Sequence, residues 1–197
     1  PEATVDTVAP DDATAGVRST DVREIGDGDL TTVPGTLPGP SASRKVDVAV
    51  QIEGGVDVDP TAFADFVMAT LNDPRGWTSA GYGFNRVEQA ADADVIVVLA
   101  SPQTSADMCR PLITGGRLSC REGRRAILTS YRWVNGQDDY GTDRTGYRQY
   151  VVNHEVGHFL GRGHKSCPGA GAPAPVMMQQ TKGLKGCAPN PWPSVAS

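Results

Sequence analysis

The sequence predicts a mixed α and β fold, and three stretches carry this prediction. Over residues 46–52, valine or isoleucine alternates with Asp, Ala or Gln, the pattern of a strand with one buried face. Residues 95–99 are continuously apolar, which is typical of a central strand covered on both faces. Asp59 and Pro60 favour a helix start, with Asp as N-cap and Pro in the first turn, and we expect this helix to end near Asn72.

The remaining elements follow in chain order. Shorter strands are expected over residues 29–33, 84–87 and 126–129. A second long helix should begin between residues 143 and 146 and end at Gly161, because glycine readily adopts a left-handed turn. From Lys165 onward Pro and Gly dominate, which predicts an irregular C-terminal part. A chain of 197 residues is long enough for one domain with a buried core.

Composition and charge limit the partners and the domain organisation. A net charge of −5 and a pI near 5.1 argue against nucleic acid as a partner. No apolar run approaches the roughly 18 residues that cross a bilayer, and no signal segment opens the chain. Residues 1–45 carry eight acidic and four basic side chains and no aromatic one, a composition that buries little apolar surface. We therefore expect residues 1–22 to be an acidic linker or spacer and residues 23–197 to form the functional domain.

All three histidines of the chain lie within residues 154–164. His154 and His158 are four residues apart, so on a helix they share one face, with Glu155 beside them. A turn at Gly161 lets the chain double back and bring His164 to the same point. Three neutral imidazoles and one nearby carboxylate form a catalytic Zn²⁺ site, which keeps one position open for water.

The alternative is a polar helix face that carries two histidines by chance. Residues 154–158 alone leave that alternative open, because the pattern is short. The helix-ending glycine and a third histidine at ligand spacing favour zinc, and structural histidines would be scattered along the chain. We therefore expect Zn²⁺ as the cofactor, bound by His154, His158 and His164.

The pattern HExxHxxGxxH in residues 154–164 resembles that of the metzincin zinc peptidases. This resemblance implies a metzincin-like (zincin) catalytic domain of the α+β class. Such a domain has a mixed, mostly parallel sheet, two main helices and, here, a small C-terminal subdomain pinned by a disulfide. The resemblance also implies a methionine-containing turn beneath the metal, for which residues 175–179 are the one candidate. We assign Met177 to this turn and keep Met178 as the alternative; both would otherwise be core filler.

Two positions depart from well-known metzincins. Lys165 follows the third histidine, where many members place a distinctive residue. Gln179 stands where some members supply a tyrosine ligand. A tyrosine from elsewhere could assist the metal, and the sequence does not select among the candidates Tyr131, Tyr140 and Tyr150.

A closer resemblance covers residues 27–193 and involves a family of exported actinobacterial proteins of unknown function. The matching pieces are residues 71–77, 98–102, 109–120 and 153–193. From the composition of residues 1–22 we expect a spacer to an anchor at the cell surface, in a segment N-terminal to Pro1, with an extracellular location as the alternative. The resemblance itself implies an exported protein with a metzincin-like fold. It implies no particular substrate.

Four cysteines permit three disulfide pairings. We favour Cys109–Cys120 and Cys167–Cys187, because each bond closes a compact loop next to an expected element. The competing interpretation is a Cys-rich metal site, which the absence of a CxxC pair disfavours. Disulfides would indicate an oxidising compartment.

These observations predict an exported zinc-dependent endopeptidase. Glu155 is the expected general base, which accepts a proton from a zinc-activated water and later delivers it to the leaving amine. A peptide or protein substrate should bind in extended form at the edge of the sheet, and we expect a monomer. Two alternatives remain: a zinc amidase that acts on cell-wall peptides, and a non-catalytic zinc-bearing binding module, which would have no need of Glu155.

Overall fold

A computed structural model describes residues 8–195, which form an α+β fold around one mixed, mostly parallel sheet. Its six strands are β1 (Leu30–Thr32), β2 (Arg44–Glu53), β3 (Tyr82–Arg86), β4 (Val95–Ala100), β5 (Cys120–Glu122) and β6 (Arg125–Thr129). The strands lie in the order β1-β2-β4-β6-β5, with β3 also paired to β2. The pairs β2–β3, β2–β4 and β4–β6 are parallel, whereas β1 and β5 are antiparallel to their neighbours. The predicted α+β class and the mixed, mostly parallel sheet are confirmed.

Five α-helices are present within the described residues: α1 (Pro10–Thr14), α2 (Pro60–Leu71), α3 (Pro102–Met108), α4 (Ser130–Asn135) and α5 (Arg144–Phe159). The two long helices, α2 and α5, begin and end close to their predicted bounds. Asp59 caps α2 as expected, its carboxylate accepting a hydrogen bond from the Ala62 amide at 2.9 Å. The other three helices have 5 to 7 residues, which is too short for a helical period to show in the sequence.

The sheet is covered on both faces, as the apolar run of β4 predicts. All six residues of β4 are buried. Val95, Val97 and Leu99 pack into the main core together with residues of α2 and α5. Ile96 and Val98 point to the other face, where they join a second, smaller apolar cluster. Helix α5, which carries His154 and His158, is therefore packed on the central sheet.

The N-terminal segment is part of the fold from α1 onward, which corrects the expectation of a linker over residues 1–22. The Asp12 carboxylate forms ion pairs with Arg144 and Arg148 at the start of α5, with N–O distances of 2.5 and 2.7 Å. Two further residues of this segment are buried in the main core: Ala15 and Val17. Two ion pairs of a buried carboxylate and two buried apolar side chains thus order a segment whose overall composition predicts no order. Residues 1–7 lie outside the described range.

Beyond α5 the chain is irregular, as predicted, apart from one 3₁₀ turn at Gln180–Lys182. We call residues 165–195 the C-terminal segment. Both favoured disulfides are present, Cys109–Cys120 and Cys167–Cys187. The second bond belongs to a small apolar cluster of the C-terminal segment, formed with Ala174, Met178 and Leu184.

No helix within residues 8–195 combines the length and the apolar character that crossing a membrane requires.

Candidate metal centre

Helix α5 carries two of the histidines on one face. Asp143 caps its N-terminus, its carboxylate accepting a hydrogen bond from the Gly146 amide at 2.7 Å. Regular helix follows to Phe159, so His154 and His158 project from adjacent turns on the same side. Three valines of α5 pack into the main core and hold the helix against the sheet: Val151, Val152 and Val156.

Gly161 ends the helix and returns the chain toward the histidines. Its φ of 79° lies in the left-handed region that favours glycine. The Gly161 amide donates to the His158 carbonyl at 3.1 Å, and the Arg162 amide donates to the Gly157 carbonyl at 2.9 Å. These paired bonds define a Schellman motif. The motif brings His164 back to His158, as the spacing of the sequence predicts.

The three imidazoles converge through their Nε2 atoms. The Nε2 atom of His158 lies 3.2 Å from that of His154 and 3.0 Å from that of His164. Nitrogens at about 2.0–2.1 Å from a tetrahedral ion are separated by about 3.3–3.4 Å. The group is therefore already close to the spacing of a metal site. Within the described residues, it is the one group of His, Cys, Asp or Glu side chains close enough to share an ion.

Two backbone carbonyls orient the rings on α5. The Nδ1 atom of His154 lies 2.8 Å from the Val176 carbonyl oxygen, and that of His158 lies 2.9 Å from the Arg162 carbonyl oxygen. A carbonyl only accepts, so each Nδ1 carries a proton and each neutral ring presents its Nε2 lone pair to the centre. Two lone pairs 3.2 Å apart repel each other unless a cation lies between them. This donor set therefore fits a metal ion.

The pKa values of the histidines favour the neutral form that binds metals. Burial lowers the pKa of His154 to about 3. Burial also lowers the pKa of His158 and of His164, and the Lys182 cation lowers that of His164 further. Because protons compete with metal ions for Nε2, rings that stay neutral near pH 7 keep the site available. Imidazole ligands suit Zn, Cu, Fe and Ni alike.

Glu155 is buried beside the histidines and lines the same space. Two adjoining cavities, of about 200 and 230 Å³, are each lined by Glu155, His154 and His164. Burial raises the pKa of Glu155 to about 8, and the Arg121 cation opposes this rise. The carboxyl group can therefore gain or lose a proton in a cavity that the three imidazoles also line.

A tight turn supports the histidines from below. The Met178 amide donates to the Pro175 carbonyl at 2.8 Å, which closes the turn. Within it, Val176 supplies the carbonyl that accepts from His154. The turn thus sets the orientation of a ligand on a helix that precedes it by more than a dozen residues.

Met177 is the residue of this turn that contacts α5. It is buried in the main core, whereas Met178 belongs to the small cluster around Cys187. A Cβ added to Gly157 would lie 2.5 Å from Met177 Sδ and 2.6 Å from Trp77 Cζ2. Gly157 lies between His154 and His158 in the sequence, and only glycine at this position leaves room for Met177 and Trp77 against the helix. Of the two methionines of the turn, Met177 therefore lies against α5 and Met178 against the second disulfide.

A buried polar network takes the place of secondary structure around the turn. The Gln180 side-chain oxygen accepts from the Tyr140 hydroxyl at 2.7 Å and from the backbone N–H of Asn190 at 3.2 Å. Gln180 Nε2 donates to the Asn190 carbonyl at 2.7 Å. The Tyr150 hydroxyl accepts from the Gln180 amide and donates to the Met178 carbonyl, at 2.8 and 3.0 Å. Satisfied buried hydrogen bonds of this kind make a segment without strands or helices rigid.

A protein-family model described as "Protein of unknown function (DUF3152)" matches residues 17–193. The chain belongs to this family. The match confirms the predicted membership in a family of unknown function. No curated protein and no solved structure matches the chain, so the metzincin assignment remains a prediction. The family match includes every residue of the metal centre and all four cysteines.

In this DUF3152 protein the three candidate tyrosines have different positions. Tyr150 lines a cavity beside His154, with ring centroids 5.3 Å apart, but its hydroxyl is bound by backbone groups. The Tyr140 hydroxyl is bound by Gln180. The ring of Tyr131 lies under the Arg117 guanidinium at 4.1 Å. Tyr150 therefore supports the turn and the His154 ring.

Two features of the site in this DUF3152 protein could not be found from sequence patterns: the backbone acceptors of the histidines and the cation Arg121. The carbonyl groups of Val176 and Arg162 carry no side-chain signature, so only the folded chain shows them as acceptors. Arg121, on β5, lines the cavity that contains all three histidines. Its one sequence signal is its place directly after Cys120, where an expected loop meets the sheet.

A larger cavity of about 590 Å³ lies behind the methionine turn, lined in part by Trp77, Arg162, Lys165 and Met177. Neither the histidines nor Glu155 line it. The reactive groups therefore belong to the two smaller cavities, and the larger one adjoins the site from below.

Proposed function

We propose that this protein is an exported, zinc-dependent endopeptidase of the metzincin type. The observation that carries the proposal is the convergence of three Nε2 atoms beside Glu155 in an open cavity. A structural zinc site is closed by a fourth protein ligand, whereas a catalytic site leaves that position open. Within the described residues, no fourth His, Cys, Asp or Glu joins the group.

The three histidines would hold the ion: His154, His158 and His164. When bound there, zinc supplies a Lewis acid that polarises a carbonyl group and lowers the pKa of water toward about 7. The contribution of the protein is to hold the ligands in one tautomer, through the carbonyls of Val176 and Arg162. Ligands that are oriented in advance need no reorganisation when substrate arrives.

Glu155 acts first as the general base and then as the general acid. Its carboxylate accepts a proton from the attacking water. It then gives that proton to the amine nitrogen as the peptide C–N bond breaks. Both roles are most effective when the pKa lies near the working pH, and burial raises the pKa of Glu155 in that direction.

Strand β5 offers an extended substrate a backbone to pair with. It pairs with β6 on one side and lies at the end of the strand order. Two of its residues, Cys120 and Arg121, line the cavity that contains the histidines. A peptide that adds a strand to this edge would cross the site in extended form, with its backbone hydrogen-bonded to the sheet.

Further features favour the metzincin type and export. In the HExxHxxGxxH motif, the first two histidines and Glu155 lie on α5, Gly161 forms a Schellman turn, and the third histidine lies on the loop that follows. Met177 packs beneath them. Two disulfides favour an oxidising compartment outside the cytoplasm.

The test is mass-spectrometric profiling of a diverse peptide mixture, comparing the zinc-loaded protein with its Glu155→Gln variant. Cleavage should require Glu155, with turnover falling at least about 10²-fold in the variant, because general-base catalysis contributes that much. Zinc content should be one ion per chain in both. Asp92→Asn, an exposed residue outside both cavities, is the matched control and should cleave as the unsubstituted protein does.

Three outcomes would count against parts of this proposal. Normal turnover by Glu155→Gln would remove Glu155 from the mechanism. Unaltered zinc content in His164→Ala would remove His164 from the ligand set. A zinc-loaded protein that cuts neither the mixture nor isolated cell-wall peptides would be a binding module.

A further inference from the structure

The two halves of the chain carry opposite charge. Residues 1–108 contain 18 acidic and 6 basic side chains, whereas residues 109–197 contain 5 acidic and 12 basic ones, which together give the net charge of −5. The second half includes β5, α5 and the whole metal centre. An acidic protein thus builds its one histidine cluster from a basic half.

Positive side chains surround the metal centre on several sides. Arg121 lines the cavity that contains all three histidines, and Lys182 lines the adjoining one. Arg162 and Lys165 line the larger cavity behind the methionine turn. All four are exposed. Glu155 is the sole acidic residue among the linings of these three cavities, and it is buried.

None of these four cations has an ion-pair partner among residues 8–195, in common with seven other lysines and arginines of that range, whereas the remaining seven cations, all arginines, are paired. Even in the disulfide loop next to the site, Arg110 and Arg117 are paired with Asp107 and Glu24. Unpaired cations around a cleft raise the positive potential inside it, because low-dielectric walls focus the field. The concentration of an anionic partner rises there accordingly.

We infer that the cleft takes an acidic polypeptide, with carboxylate side chains on both sides of the scissile bond. One carboxylate would meet Arg121 and another would meet Lys182, since each cation lies in a different one of the two cavities that share Glu155. This substrate class rests on the proposed endopeptidase function of the same site.

The surfaces beside these cations fit a peptide better than a nucleic acid. The cavity with Lys182 is also lined by Leu112, Ile113 and Leu118, and Ile113 is 98% exposed. The apolar stem of a glutamate side chain can lie against these residues while its carboxylate reaches the lysine. Single-stranded nucleic acid instead needs aromatic faces for stacking. Among the described linings of the two cavities, Tyr150 is the one Phe, Tyr or Trp, and it is buried.

The test uses two fluorescent peptides of equal length that carry either Glu or Gln on both sides of the central bond. Binding is measured by anisotropy with zinc-loaded Glu155→Gln protein, and cleavage is measured with the unsubstituted protein. The Glu peptide should bind and be cleaved about tenfold better, because each exposed ion pair changes affinity by up to about fivefold. The difference should shrink at about 0.5 M salt, which screens exposed charges.

Charge reversal identifies the residues responsible. Arg121→Glu combined with Lys182→Glu should abolish or reverse the preference for the Glu peptide. Lys185→Glu is the matched control for one of these charge changes, because Lys185 is an exposed residue of the same C-terminal segment that lines none of the three cavities. It should leave the preference in place.

Each outcome separates this inference from the proposed function. Equal binding and equal cleavage of the two peptides would overturn the inference and leave the endopeptidase function standing. Selective binding of the Glu peptide, without cleavage of any peptide, would overturn the endopeptidase function and keep the acidic ligand. Failure to bind either peptide would overturn the inference. Displacement by an oligonucleotide but not by polyglutamate would also overturn it.

Discussion

The sheet and the C-terminal segment are ordered by different means. Strand β4 is hydrogen-bonded to a parallel neighbour on each side, and all six of its residues are buried. The C-terminal segment contains one 3₁₀ turn as its only element within the described residues. It is held instead by the Cys167–Cys187 bond and by side-chain hydrogen bonds of Gln180 and Asn190.

The metal centre lies where these two regions meet. His154 and His158 belong to a helix packed on the sheet, whereas the carbonyl that orients His154 comes from Val176 in the C-terminal segment. The sheet therefore sets the position of His154 and His158, and the C-terminal segment sets the orientation of the His154 ring. The two regions should consequently respond to substitution in different ways.

The largest effect should come from Leu99→Ala, because Leu99 is fully buried at the centre of the sheet. Removing a buried leucine costs about 2–5 kcal/mol of the free energy of unfolding. Denaturant unfolding followed by circular dichroism should show this loss, and hydrogen exchange should increase in both regions together. Leu99→Ile, which conserves volume, should cost less than about 1.5 kcal/mol. Faster exchange confined to the C-terminal segment would contradict this prediction.

Removal of the second disulfide, by Cys167→Ser with Cys187→Ser, should act more locally. The bond closes a loop of 20 residues, and its loss should cost about 3 kcal/mol. Hydrogen exchange should increase over residues 165–195 while β2 and β4 remain protected, and zinc affinity should fall. The matched variant, Cys109→Ser with Cys120→Ser, should leave exchange in the C-terminal segment unchanged. Uniform loss of protection in the first variant would show that the two regions fold as one unit.

Gln180→Leu should have a similar local effect of about 1–3 kcal/mol, because the Tyr140 hydroxyl and two Asn190 backbone groups would lose their partner. The methionine turn should loosen, and zinc affinity should fall with it. Gln103→Leu is the control, since Gln103 is an exposed glutamine whose side chain bonds to Asp107. If both variants retain the same zinc affinity, the network does not support the metal centre.

The smallest effect should be the pH dependence of stability that comes from the N-terminal segment, which is held to α5 by the ion pairs of Asp12. Burial raises the pKa of Asp12, but hydrogen bonds from Arg144 and Arg148 outweigh burial and lower it overall. A depressed carboxyl pKa contributes stability above the unfolded value of about 3.9. That stability is lost as pH falls through the folded pKa. Unfolding free energy should therefore decrease below about pH 4. NMR titration should place the Asp12 midpoint below that value, and a midpoint above it would contradict the ion pairs.

Local patterns predict the regular part of the molecule because their causes are local. The apolar run of β4, the Asp59 cap of α2 and the left-handed glycine at Gly161 each depend on residues close in sequence. The three histidines are predictable for the same reason, since helix period and one turn bring them together. The choice of Met177 has a different basis, since it follows from the resemblance to the metzincin methionine turn.

Other features depend on partners far apart in sequence. Asp12 meets Arg144 from 132 residues away, and the Trp133 side chain donates to the Ala15 carbonyl from 118 residues away. No local pattern predicts such pairs. Composition alone therefore suggests a linker over residues 1–22, although α1 is packed against α5 through the Asp12 ion pairs. The position of the Val176 carbonyl and the gathering of cations around the cleft are likewise products of the fold.

The two carbonyls that orient His154 and His158 both come from residues C-terminal to α5. Synthesis of the chain therefore completes the helix before the groups that orient its two histidines. If the three histidines bind a metal ion as proposed, capture with native affinity would wait until residues 161–177 have closed over the helix, and loading would belong to the last stage of folding. By the same linkage, a bound ion would hold that closing segment in place. An isolated peptide with the sequence of α5 should accordingly bind zinc far more weakly than the folded protein.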